Sequence, residues 1–313
     1  MTITEANKEA GTRIRAAKKT QQTWLDLGDL PLAKIPEEIR ELNWLKELGL
    51  GRQRYDPENG TWKANIESWA PKKEIWDLSQ IRALTNLEWL DLSYCSFVSD
   101  LKGLEDLPAI KNLNLEFCRQ IVDLNLLANL STLQTLNLHG CKLIKDLTPL
   151  ANLHLLESLN ICEFVKVHDL SQLGGLGSLQ SLNLSWGQRI TDLTALKDLK
   201  SLRSLDLSWC RRISDLTPVA NLTSLASLNV RACSEIKDWS PILGLVNLTN
   251  LNVYKAGKTA LPPNSLDILA KLKSLVIDKM GEAPAEILST SGSSNCLSTL
   301  LEWWNSHKSK IKG

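Results

Sequence analysis

Leu202-Arg-Ser-Leu205-Asp-Leu207-Ser-Trp-Cys210-Arg-Arg-Ile213-Ser-Asp215-Leu216-Thr-Pro218-Val219-Ala-Asn-Leu222 is the stretch that decides the fold. Around Leu205 and Leu207 apolar and polar residues alternate, the period of a strand with one buried face. Leu205 and Leu207 are therefore expected to point inward, and Ser204, Asp206 and Ser208 outward. Ile213, Leu216, Val219 and Leu222 then follow at steps of three, which suits a 3₁₀ or short helical turn whose length Pro218 limits.

The stretch is one copy of many. Leu92, Leu115, Leu138, Ile161, Leu184, Leu207, Val230 and Val253 are each 23 residues apart. The same spacing aligns Ile75, Val98, Ile121, Ile144, Val167, Ile190, Ile213 and Ile236. One coil of this kind cannot bury its own apolar side, but stacked coils share a continuous core. An acidic column, Asp77, Asp100, Asp123, Asp146, Asp169, Asp192, Asp215 and Asp238, precedes each back segment. At that position an Asp is expected to accept backbone N–H bonds at a turn rather than bind metal.

The pattern LxxLxLxxC over residues 23–280 resembles the short, bacterial-type leucine-rich repeats. The resemblance implies an α/β chain folded as a right-handed, horseshoe-shaped solenoid. About eleven parallel strands would line its concave face, 3₁₀ or short helical turns its convex face, and helices would cap both ends. Residues 1–22 would form the first cap, with Ala6, Ala10, Ile14 and Ala17 on one helical stripe, and residues 281–313 the second cap and a basic tail. Ala283-Pro-Ala-Glu-Ile-Leu-Ser289 with Asn295-Cys-Leu, together with Ile35-Pro-Glu-Glu-Ile39 near the start, is similar to the repeat region of bacterial Roco-type proteins.

Composition narrows the function. With 36 Lys and Arg against 35 Asp and Glu, a net charge of +1 argues against a nucleic-acid or membrane-surface partner. The opening MTITEANKEAGTRIRAAKK has no apolar core of a signal peptide, and no apolar run is long enough to span a bilayer. Cys95, Cys118, Cys141, Cys210 and Cys233 form a column that Phe164 and Gly187 interrupt. A position that tolerates Phe and Gly is a packing position, so these are read as reduced thiols in a cytoplasmic protein.

The register breaks once, between Leu50 and Leu92, and places an insertion at 51–74 directly after a strand. It carries Arg52, Arg54, Tyr55, Trp62, Lys63 and Trp69 around a Pro57-Glu-Asn-Gly60 turn signal, and either binds a partner or folds back on its own aromatics. Trp89, Tyr94, Phe117, Trp186, Trp209 and Tyr254 fall at outward or rim positions of the strand face. With His139, Arg231 and the insertion's Arg52, Arg54, Tyr55 and Trp62 they make the expected partner surface, since exposed aromatics near Arg form interface hot spots.

Two patterns could carry other chemistry. Glu116, His139 and Cys162 share one outward column and should stand side by side, as a cysteine hydrolase requires, but strand N–H groups used in the sheet leave no oxyanion donor. The neighbouring column, Asp91, Asn114, Asn137, Asn160, Asn183, Asp206, Asn229 and Asn252, is expected to bond amide to amide along the sheet. Ala256-Gly-Lys-Thr259 lacks the first Gly of a phosphate-binding loop. The function expected is therefore non-enzymatic: a scaffold or sensor that binds a protein or peptide, with no cofactor and no metal. The alternatives are a regulatory subunit of an enzyme such as a phosphatase or GTPase, and a hydrolase using Cys162, His139 and Glu116.

Overall fold

The computed structural model describes residues 1–64, 74–257, 272 and 274–276. Expectations on Trp69, on residues 258–271 and on the terminal helix and tail at 281–313 lie outside them. The chain divides into two compact units, residues 1–164 and 165–313.

The first unit opens with a helix, α1 (Ile3–Thr20). Thr2 and Glu5 close a reciprocal capping box at its start: the Glu5 N–H donates to Thr2 Oγ1, and the Thr2 N–H to Glu5 Oε2. The predicted stripe of Ala6, Ala10, Ile14 and Ala17 is buried, as a helix covering the open end of a stack requires. Six parallel strands follow in register: β1 (Trp24–Asp26), β2 (Glu47–Gly49), β5 (Trp89–Asp91), β6 (Asn112–Asn114), β7 (Thr135–Asn137) and β8 (Ser158–Asn160). Leu25, Leu48, Leu90, Leu113, Leu136 and Leu159 stand opposite one another and are buried, so the 23-residue step becomes a leucine ladder. The insertion interrupts this series with an antiparallel hairpin, β3 (Gln53–Asp56) and β4 (Thr61–Ala64).

The second unit repeats the plan with β9 (Ser181–Asn183), β10 (Ser204–Asp206), β11 (Ser227–Asn229), β12 (Asn250–Asn252) and β13 (Ser274–Val276), all parallel. The 3₁₀ turns predicted from the step of three lie behind the strands, as at Thr217–Val219, where Pro218 sits in the first turn.

The acidic column caps those turns. In the first unit the N–H groups of Ser79, Lys102, Asn125 and Thr148 donate to Asp77, Asp100, Asp123 and Asp146 at 2.8 to 3.0 Å. In the second unit Ser171, Thr194, Thr217 and Ser240 donate likewise to Asp169, Asp192, Asp215 and Asp238. The cysteine column is buried, and its thiols donate to backbone carbonyls, Cys118 Sγ to Leu92 O at 3.1 Å and Cys210 Sγ to Leu184 O at 3.1 Å. Burial pushes the Cys141 thiol up to about 12.

The Asn column behaves differently from expectation. Its principal bond runs to the backbone two residues on: Glu116, His139, Cys162, Ser185, Arg231 and Tyr254 N–H groups donate to Asn114, Asn137, Asn160, Asn183, Asn229 and Asn252. Each strand ends in a sharp turn that leaves this N–H without a ladder partner, and the Asx geometry supplies one. A bond between neighbouring members of the column is made by Asn229 Nδ2, donating to Asp206 Oδ2 at 2.9 Å.

Candidate partner-binding face

In the first unit the hairpin lies on the outward face of the first three strands, and one row of residues explains how. Asp26, Gly49 and Asp91 are direct neighbours across β1, β2 and β5. Both carboxylates use one oxygen for their own turn, accepting from the Gly28 and Ser93 N–H groups. Each uses the other oxygen to hold the hairpin, accepting from Tyr55 N–H at 3.0 Å and Gln53 N–H at 2.9 Å. Only a carboxylate offers both acceptors, which is why this row departs from Asn. Burial raises the Asp26 pKa, opposed by its two backbone donors.

Between the two acids, Gly49 leaves room for Trp62, whose ring carbon Cζ3 would stand 2.3 Å from a Cβ there. The Trp62 indole stacks on Trp89 at 4.1 Å and donates through Nε1 to Glu47 at 2.8 Å. Tyr55 stacks on Trp24 at 4.0 Å and meets Trp62 edge-on at 5.3 Å. Arg54 pairs with Asp29, which also holds Arg13 of α1. A groove of about 460 Å³ remains between α1, β1 and the hairpin, lined by Arg13, Trp24, Asp26, Arg54, Tyr55 and Pro57. Tyr55, Trp62 and Trp89, read from the sequence as partner anchors, are thus engaged with one another. The described part of the insertion, residues 51–64, folds back on the strand aromatics Trp24 and Trp89.

Four of the remaining anchors, Tyr94, Phe117, Trp186 and Trp209, follow a rule that alternation did not reveal, while His139, Arg231 and Tyr254 stay in the column before it. Tyr94, Phe117, Glu163, Trp186, Trp209, Ala232 and Lys255 all have φ between 54° and 65°. This left-handed residue, two after the inward residue of each strand, turns the chain off the sheet. In the first unit Tyr94 contacts Phe117 at 4.8 Å, and Phe117 contacts His139 at 4.7 Å. Phe117 leans over Gly140, where any Cβ would meet its ring at 2.5 Å. Arg52 lies 4.9 Å above the Tyr94 ring, and its N–H donates to the Ser93 hydroxyl.

Glu116, His139 and Cys162 do come together. His139 Nδ1 stands 3.4 Å from Glu116 Oε1, and Cys162 is 8% exposed. Hydrogen bonds to Cys162 and then to Glu116 raise the His139 pKa to about 10. The Cys162 N–H is spent on Asn160, and the Gly140 N–H on the Cys162 carbonyl, so neither is available to stabilise an oxyanion.

In the second unit the rings of Trp186 and Trp209 lie parallel, 4.6 Å apart with planes within 9°, and Trp186 is 40% exposed. Arg211 rests 4.9 Å over Trp209. Arg231 and Lys255 stand 5.4 and 5.3 Å from the Tyr254 ring. Trp24, Asp26, Gly49, Asp91, Arg211 and Lys255 were not picked out from the sequence as site residues. The Asp-Gly-Asp break in the Asn column and the cations next to column aromatics were the signals available.

The fold is that of the leucine-rich-repeat proteins. The family model for leucine-rich repeats (two copies) matches residues 177–221. An internalin (inlF) from Listeria monocytogenes superposes with a TM-score of 0.72 at 27% identity, over 92% of this chain and 78% of that one. A leucine-rich-repeat protein of Leptospira interrogans gives 0.52 at 21% identity, over 82% and 71%. A TLR13–ssRNA13 complex gives 0.58 at 20% identity, over 87% of this chain and 42% of that one. No curated protein matches the sequence significantly. No helix among the described residues is long and apolar enough to cross a membrane.

Proposed function

We propose that the chain is a non-enzymatic interaction module that binds a protein or peptide partner on the outward strand face and its rim. The observation that carries this reading is the paired indole surface of Trp186 and Trp209, with Trp186 left 40% exposed and Arg211 over Trp209. Large, rigid aromatic area costs little side-chain entropy to bury, and Trp and Arg dominate interface energetics. In the first unit the hairpin already occupies the strands β1, β2 and β5, so the partner surface there begins at Tyr94, Phe117 and His139. The reduced cysteine column supports a cytoplasmic setting.

The test is affinity capture followed by mass spectrometry with the native chain and with Trp186→Ala/Trp209→Ala. The paired substitution should remove the specific partner, at about 2 kcal/mol or more for a hot-spot indole. Retention of every partner by the variant overturns the reading. Co-purifying phosphatase or GTPase activity would instead make it a regulatory subunit of that enzyme.

A further inference from the structure

Between residues 165 and 257 ten Lys and Arg face seven Asp and Glu. Four of the seven, Asp169, Asp192, Asp215 and Asp238, are committed to the back turns. A fifth, Asp206, accepts from Ser208 and Asn229. On the rim, Arg211, Arg231 and Lys255 are exposed and rest against Trp209 and Tyr254, and none pairs with a carboxylate among the described residues. In the first unit Arg13, Arg54, Lys63, Lys111 and Lys142 have carboxylate partners, and among its described residues only Arg52 and Arg119 of the cations near the strand-face aromatics rest on rings, those of Tyr94 and Phe117. An aromatic face orients a cation without neutralising it, so these charges keep their capacity for an incoming anion.

We propose that the second unit receives an acidic peptide segment, with carboxylates on Arg211, Arg231 and Lys255 and an apolar side chain on the exposed indole of Trp186. The proposal deepens the interaction reading and rests on it. A short acidic peptide can set its few carboxylates on these three cations and keep them clear of Asp206 on the same outward face, which a continuous phosphate chain cannot do. Asn252, whose Oδ1 accepts from the Tyr254 N–H, can offer its side-chain Nδ2 to a peptide carbonyl.

Fluorescence anisotropy with the full chain tests this, using a labelled Glu-Glu-Leu repeat peptide, its Gln-Gln-Leu and Lys-Lys-Leu counterparts, and oligouridine of equal length. The Glu peptide should bind about tenfold more tightly than the Gln peptide at low salt, with the margin shrinking as salt rises. Arg211→Gln/Arg231→Gln/Lys255→Gln should abolish the margin, and Arg211→Lys/Arg231→Lys/Lys255→Arg should keep it. Equal binding of the Glu and Gln peptides, tighter binding of oligouridine, or an unaffected triple Gln variant overturns the proposal. Partner capture that needs Trp186 and Trp209 yet survives the triple Gln variant defeats the acid preference alone. Capture indifferent to both indoles defeats the surface on which it rests.

Discussion

The indole of Trp62 lies flat on that of Trp89, centroids 4.1 Å apart and planes within 17°, directly above the bare backbone of Gly49. The stack exists because the strand between Trp24 and Trp89 presents no side chain at that point. A methyl group on Gly49 would stand 2.3 Å from Trp62 Cζ3, so Gly49→Ala should displace the ring and destabilise the chain by about 1–3 kcal/mol. Trp62→Ala removes the obstacle. The double variant should then be no less stable than Trp62→Ala alone, a non-additive cycle read from denaturant midpoints. Strictly additive losses would show that the two residues do not meet.

Asp91 should be harder to replace than any Asn of its column. Asp91→Asn keeps an acceptor for the Ser93 N–H but loses the carboxylate oxygen that takes the Gln53 N–H at 2.9 Å. The cost expected is about 1 kcal/mol for a stranded half-buried donor, with faster tryptic cleavage at Arg52 and Arg54 as the hairpin loosens. Asn160→Asp, half-buried, in register with Asn137 and with no hairpin to hold, should be close to neutral in both measurements. Equal behaviour of the two substitutions would count against the clip.

These two sites show where the sequence was legible. A 23-residue period with inward leucines leaves one way to bury apolar surface, so strand positions, back turns and the α1 stripe followed from spacing alone. The Asp at each back turn was likewise readable, because a turn needs an acceptor there in every coil. The hairpin was not readable in the same way: its aromatics could equally have faced a partner. What decides is Gly49, whose missing side chain matters only once Asp26, Gly49 and Asp91 are known to be neighbours. The left-handed column escaped notice because Tyr, Phe, Trp, Glu and Lys are not residues that announce positive φ.

That column gives a third prediction. Ala232 has φ 59° and is 8% exposed, a backbone state that costs an L residue roughly 1–2 kcal/mol. Ala232→Gly relieves the strain and loses some in unfolded-chain entropy, so stability should hold or rise by up to about 1 kcal/mol. Ala232→Val keeps the strain and adds a branched Cβ, and should lower the unfolding midpoint clearly. Thermal or urea unfolding of the pair checks this; a Gly variant less stable than the Val variant would contradict the geometry.

His139 sets a pH dependence whose sign is fixed by its neighbours. Hydrogen bonds to Cys162 and Glu116 raise its pKa from the usual 6.5 to about 10, so the folded chain holds a proton that the unfolded chain releases near 6.5. The stabilisation is complete below 6.5 and is lost as pH climbs through about 10. Unfolding free energy should therefore decline across this window in the native chain and flatten in His139→Gln. Imidazole C–H resonances give the direct reading: His139 should titrate near 10 and move toward 6.5 in Glu116→Gln, which removes the charge 3.4 Å from Nδ1. A His139 that titrates near 6.5 in the native chain would dissolve the pairing. The same imidazolium bears on Cys162. With the Cys162 and Gly140 N–H groups committed elsewhere, the group should show no hydrolysis of activated esters above the Cys162→Ser background. Turnover that requires both Cys162 and His139 would instead make this cluster an active site.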